Sequence, residues 1–357
     1  MNLPSRKEII RKVKSKGKRV ACVLPVHYPP ELLRAFSIHP IELWGPPGID
    51  TTTAKAHLQS YICSIMHSSL SFILKGCPDE IDFILVPHCC DSLQGIGSIL
   101  KDFITPKQKI LTLYIPRGKR ESDIEFLAEE LKRIYGMLSE ITGLEPKADI
   151  LHSQIDLQER IDELLLSVYE KHSKKESDSV TFYRTIRAKG YLPPDEYINL
   201  LEKLIESKAR ENRVRILLSG IVPEPEEVLQ VVEDAGGVVI CDDMACCYRR
   251  VYKRVSDGDP FKRMARRMLS VPDSLLGSPI GERFDFLVKL CNTYGANGII
   301  FYNIKFCEPE KFYHPLLKER LKSANIESLI IETDINEKLP QQIRTRIHAF
   351  IEKLRRD

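Results

Sequence analysis

Three cysteines of this 357-residue chain stand where a thiol can do chemistry. Cys307 closes the run GIIFYNIKFC, in which Ile299, Ile300, Phe301, Tyr302 and Ile304 read as a buried strand that Pro309 prevents from continuing. Cys90 follows a second apolar run, DFILVP at residues 82–87, and immediately precedes Asp91. Cys63 falls within about residues 53 to 74, where the spacing of Tyr61, Ile65, Ser68, Ser69 and Phe72 suggests a helix. In an open α/β sheet a thiol at a strand's carboxyl end faces the crevice that binds ligands. A buried structural cysteine is the competing reading, since free Cys is among the most buried residue types. Gathered in one cleft, three thiolates suit a 4Fe-4S cluster with one iron open to substrate, hydroxide or sulfide, whereas four favour simple electron transfer.

The remaining cysteines narrow the chemistry. Ten in all, with no secretory signal and no framework spacing, they read as reduced thiols rather than disulfides. No CxxC pair occurs, which disfavours a zinc ribbon or a ferredoxin-type carrier. Cys89 and Cys90 are neighbours whose side chains point to opposite faces of an extended chain, so one of them, taken as Cys90, faces any given site. Cys246 and Cys247, near Asp242 and Asp243, are further candidate ligands, with packed thiols as the alternative.

The elements around these residues repeat an α/β pattern twice, and the length calls for two domains. Residues 1–18 read as a basic N-terminal helix with Ile9, Ile10 and Val13 on one face, its cations a solvated surface. Residues 19–145 form a first lobe, including a helix introduced by a Ser122/Glu125 capping box. Residues 146–210 form a helical connection with a polar linker at 171–179, and residues 211–357 form a second lobe of the same architecture. Within the latter, residues 255–282 are rich in Gly, Pro and Arg and read as a long surface segment over a site. A formal net charge of +3 argues for neither a nucleic-acid nor a membrane partner, and no apolar run reaches membrane-spanning length. A cytoplasmic protein is expected.

These motifs resemble the subunits of 2-hydroxyacyl-CoA dehydratases and benzoyl-CoA reductases along nearly the whole chain. HYPPELLRAFSIHPIELWG is similar to their opening; YICSIMHSSL, VPHCCDSLQG and GIIFYNIKFCEPEKFYHPLLKERL resemble their three cluster-cysteine segments; SLIIETD with QIRTRIHAFIEKL resembles their C-terminal signature. The resemblance implies two Rossmann-like or flavodoxin-like lobes with parallel sheets and a 4Fe-4S cluster in the cleft between them, held by Cys63, Cys90 and Cys307. It implies a homo- or heterodimer with a related subunit, an acyl-CoA substrate and an ATP-dependent iron-sulfur activator as the electron donor. In the dehydratases that electron makes a ketyl radical anion that expels the 2-hydroxyl; in the reductases it drives ring reduction. ATP belongs to the partner, in keeping with the lack of a Walker loop here. Met268–Asp273 lacks the cysteine of the double-cubane members, so a double cubane is disfavoured. Arg249 occupies a position where the family commonly carries Arg and, with Arg250, Arg263, Arg266 and Arg267, is a candidate for the CoA phosphates, a solvated basic face being the alternative. His27 and Glu31 lie in a turn near the family's active site, with Glu31 as a proton carrier or a helix cap.

Overall fold

The computed structural model describes residues 3–45, 48–76, 80–175, 178–204 and 213–356. Among these residues eight strands form two sheets. The first holds β1 (Arg19–Val23), β2 (Ile38–Glu42), β3 (Phe83–His88) and β4 (Lys109–Tyr114); the second holds β5 (Val214–Gly220), β6 (Gly237–Met244), β7 (Gly298–Ile304) and β8 (Glu327–Thr333). Both sheets are all-parallel, in the orders 2-1-3-4 and 6-5-7-8, so the second repeats the first. That is the beginning of the flavodoxin-type doubly wound order, whose ligand crevice opens where the winding reverses, between β1 and β3 and between β5 and β7. β6 and β7 are buried along their whole length, as expected of parallel strands covered by helices on both faces.

The local signals account for most elements. Helix Arg6–Ser15 is closed by a Ser5/Glu8 capping box and buries Ile9, Ile10 and Val13. The helix of the first lobe expected after Ser122 starts earlier, as Glu121–Thr142, because Asp123 accepts the Arg120 backbone N–H at 2.9 Å. The linker expected at 171–179 is in part helix: Ala148–Lys175 runs unbroken and Ser179–Arg187 begins on the Asp178 cap, with residues 176 and 177 outside the described set. The boundary at 210 and 211 also lies outside it.

Residues 255–282 depart most from expectation. Helix Pro260–Met268 packs inward, and Arg267 is fully buried because Glu159 and Asp162 of helix Ala148–Lys175 meet its guanidinium at 2.8 and 2.9 Å. A sequence rich in Arg reads as surface until its carboxylate partners, a hundred residues away, are known.

Two buried groups beside β6 give the fold a compensated response to acid. His172 donates Nε2–H to the Val239 carbonyl at 2.8 Å, and burial pushes its pKa down to about 4. Burial pushes Asp242 up to about 6, against the Tyr169 hydroxyl that donates to it at 2.5 Å. As pH falls from 6.5 to 4, the unfolded chain takes up a proton at His172 that the native state refuses, and stability is lost. Over the range from about 6 down to 4, native Asp242 holds a proton that the unfolded carboxylate lacks, and stability is regained. Each effect is about 3 kcal/mol. We expect Asp242→Asn to lose stability steeply on going from pH 7 to 4.5 and His172→Gln to gain it, read as urea midpoints; parallel pH profiles for the two variants would contradict this assignment.

Candidate functional site

Each of the three cysteines comes to rest at the amino end of a helix. Cys90 leaves β3 and is the N-cap of helix Asp91–Ile99; Cys307 leaves β7 and is the N-cap of helix Glu308–Ser323. β3 and β7 hold the same position in their sheets, so these two cysteines are counterparts across the repeat. Cys63 is not within a helix, as its spacing suggested, but directly before one, Ser64–Gly76. The cause is a break at residues 56–63, where the short helix Thr52–Lys55 ends and the chain turns. Gly45 sets that second helix close: its φ is +75°, and a Cβ there would fall 2.6 Å from Ser68 Cβ and 2.8 Å from the Ile65 carbonyl.

The three thiols line one cleft of about 710 Å³ between the lobes, together with Ser92, Ile99, Arg117, Ser274, Leu275, Phe306 and Tyr313 among others. They feel one another's charge. Burial, and next the neighbouring Cys90, push the Cys63 thiol up to about 12, opposed by the backbone N–H groups of Met66 and Ile65 and by the Ser92 hydroxyl. Burial and Cys63 push Cys307 well above the ordinary thiol range. Cys90 is held below that range, chiefly by a hydrogen bond from Cys89 and also by the Leu93 and Ser92 N–H groups. Among the described residues no three His, Cys, Asp or Glu side chains stand close enough to chelate a single metal ion. Soft thiol donors that share a cleft without closing on one ion fit a polynuclear core that brings its own bridging sulfides. Helix-end amides suit the thiolate form that such a core requires.

Cys89 is buried and does not line this cleft. Cys246 and Cys247 are also buried away from it, their sulfurs 3.1 Å apart.

The arginines chosen for CoA phosphates are not available to it. Arg249 is fully buried and joins three carboxylates: Asp243 at 3.0 Å, Asp273 at 3.2 Å and Glu310 at 2.5 Å. Arg250 is buried on Glu42 at 2.5 Å and over the Tyr28 ring. Three carboxylates on Arg249 leave its planar fork no edge for a phosphate. The exposed cation that does line the cleft is Arg117, beyond the carboxyl end of β4, with Asp91 at 3.4 Å. Sequence reasoning passed over it, although a place shortly after a strand's carboxyl end is the signal that singled out Cys90 and Cys307.

His27 and Glu31 likewise sit behind the cleft rather than in it. His27 donates Nε2–H to Asp273 at 2.9 Å, with the Tyr252 hydroxyl 3.1 Å from Nδ1. Burial would raise Asp273, but Arg249 and His27 hold it down to about 2. Ser274, the next residue, lines the cleft and donates to Glu310. Glu31 opens the short helix Pro30–Ala35, 2 % exposed, with Arg267 4.0 Å away and Oε2 unpartnered. A proton carrier acting directly on substrate is therefore not what this geometry makes of Glu31.

The family model described as 2-hydroxyglutaryl-CoA dehydratase, D-component, matches residues 25–354. The chain belongs to that family. All three cleft cysteines fall within the matched span. Among curated relatives of this D-component family, the chain is 26% identical to the (R)-phenyllactyl-CoA dehydratase beta subunit of Clostridium sporogenes, over 98% of this chain and 95% of the relative. It is 26% identical to the (R)-2-hydroxyglutaryl-CoA dehydratase beta subunit of Acidaminococcus fermentans, over 98% and 96%. It is 24% identical to a benzoyl-CoA reductase subunit of Thauera aromatica, over 95% and 92%. No described helix is long and apolar enough to cross a membrane.

Proposed function

We propose that this chain is the iron-sulfur subunit of an anaerobic, cytoplasmic 2-hydroxyacyl-CoA dehydratase, with Cys63, Cys90 and Cys307 as the protein ligands of a 4Fe-4S cluster and one iron free of cysteine. The observation that carries the reading is the meeting of these three thiols, two from one lobe and one from the other, at the crevice where both sheets reverse their winding. When bound, such a cluster supplies low-potential one-electron chemistry. The reaction is loss of water from a 2-hydroxyacyl-CoA through a ketyl radical anion of the thioester, its electron coming from a separate ATP-dependent activator.

The chain's own residues do the rest. Helix-end N–H groups and the Ser92 hydroxyl hold the thiolate charge. Arg117 is the cation placed to meet CoA phosphates. The His27–Asp273 pair fixes the turn that presents Ser274 and Leu275 to the cleft and so acts as a positioning pair.

The mouth is closed by a related chain. Tyr61, Phe306 and Phe312 line it at 54, 42 and 72 % exposure, and Leu316, one turn beyond Phe312, is 53 % exposed. Phe306 is held at φ +63°, a costly backbone for an aromatic residue, directly before Cys307. Apolar rings gathered at one edge are the mark of a surface that a partner covers. Phe312→Glu should weaken association of the two chains by tenfold or more in sedimentation equilibrium; an unchanged association constant would remove this rim from the interface.

The test of the function is anaerobic conversion of a 2-hydroxyacyl-CoA to the 2-enoyl-CoA by the reconstituted chain with its companion, activator and ATP. A second reading has its own support: several matched relatives are named beta subunits. In that reading this chain relays electrons and the companion binds substrate, and the reconstituted chain alone would hold iron without binding acyl-CoA. Ring reduction of the benzoyl-CoA type, after the Thauera relative, would appear as a reduced product in place of an enoyl-CoA.

A further inference from the structure

A second concavity lies at the other end of the first sheet. The cysteine cleft is at the strands' carboxyl ends, whereas Lys18 immediately precedes β1 and Ser37 immediately precedes β2. A five-residue strand separates the two ends by roughly 17 Å. The concavity holds about 250 Å³, and four of its lining residues are cations: Lys12, Lys16, Lys18 and Arg34. Among the described residues Asp195 is the one carboxylate that lines it.

Arg34 is the telling group. Among the described residues its guanidinium hydrogen-bonds only to amide oxygens, Gln154 Oε1 at 3.2 Å, the Gln154 carbonyl at 3.4 Å and Gln158 Oε1 at 3.0 Å, while the carboxylates of Glu31 and Asp162 act on it from farther off. Arg249, Arg250, Arg263, Arg267 and Arg283 each have a carboxylate within hydrogen-bond reach. Lys16 and Lys18 have no carboxylate within 4 Å among the described residues, while Lys12 meets Glu196 at 2.8 Å. The positive field is felt by His39 in the same wall, whose pKa is lowered by burial first and then by Arg34 and Lys18. A smaller cavity shares Arg34, His39 and Pro194 with it. The carbonyl end of helix Arg6–Ser15 explains a cation at Lys12 or Lys16. It does not explain why Lys18 and Arg34, from other segments, face the same hollow.

We propose that this hollow binds a phosphate group, with Lys16, Lys18 and Arg34 as its charge-bearing contacts. Lys16 and Lys18 stand beside Arg34 with no carboxylate of their own, and a dianion with several acceptor oxygens offsets their mutual repulsion and can accept from the Arg34 Nη1 donors that Gln154 and Gln158 leave free. The inference does not depend on the cysteine site or on the proposed dehydration. Arg34 lies on helix Pro30–Ala35, which also carries Glu31, so a bound phosphate touches the element next to the buried ionic core.

The test is thermal unfolding of the full chain titrated with inorganic phosphate or ADP, ionic strength being held constant with chloride. A saturable rise in Tm is expected. In Lys16→Gln/Lys18→Gln the apparent affinity should fall at least tenfold while the ligand-free Tm stays within a degree or so, because exposed lysines contribute little to stability. Phosphate binding as tightly as ADP identifies the free anion as ligand, and ADP binding tenfold more tightly identifies a nucleotide. A Tm that tracks chloride alone, or an equal rise in the double variant, overturns the proposal.

Discussion

Replacing any one of Cys63, Cys90 or Cys307 with alanine is expected to abolish the iron retained after anaerobic reconstitution, from about four atoms per chain to less than one, together with the brown absorption. Cys89→Ala, Cys246→Ala and Cys291→Ala should keep both. The contrast follows from position: the first three line one cleft and the others do not. On the proposed assignment each variant leaves a cubane only two protein ligands, so the loss should be complete rather than proportional. Cys89 is the demanding control, since it is adjacent to Cys90 and hydrogen-bonded to it. Iron retained in any of the three variants, or lost in Cys89→Ala with the fold intact, would remove the ligand assignment.

Arg249→Met should cost about 3–5 kcal/mol in urea unfolding, the usual penalty for stripping the partner from buried charges. Asp243, Asp273 and Glu310 are all at most 1 % exposed, and among the residues bonded to them only Arg283, on Asp243, offers another guanidinium. Arg249→Lys should fall between, because an ammonium keeps the charge but not the planar fork that spans three carboxylates. Removing one of those carboxylates at the same time, in Arg249→Met/Glu310→Gln, should cost less than the sum of the two single changes. Glu310 lies in the first turn after Cys307, so Arg249→Met should also lower iron retention. A full iron complement in a strongly destabilised Arg249→Met would separate the ionic core from the cysteine site.

What could be read from the chain alone was local. Apolar runs gave the strands flanking Cys90 and Cys307, and the order of elements gave two α/β lobes, because a buried parallel strand needs little beyond its own residues to declare itself. Arg249 and Arg250 misled for the opposite reason. An arginine in sequence carries no mark of its partners, and those of Arg249 lie on β6, on the turn at Asp273 and on the helix after Cys307. The same holds for Arg267, whose carboxylates lie on helix Ala148–Lys175. Arg117 went unnoticed because an exposed cation looks like any other until the cleft beside it is formed. Cys63 was found by type but placed within a helix, since the apolar spacing on either side of the break is in phase and conceals it.

The pairs His27–Asp273, Arg250–Glu42 and Arg267–Glu31 all run from one lobe to the other, and all are buried. Parting the lobes like a jaw would tear every one of these charges from its mate at once, so hinge opening is a poor route for a ligand of the cleft to come and go. Traffic must instead pass along the edge of a body that stays shut, and the timing of entry and exit then belongs to whatever sits against that edge.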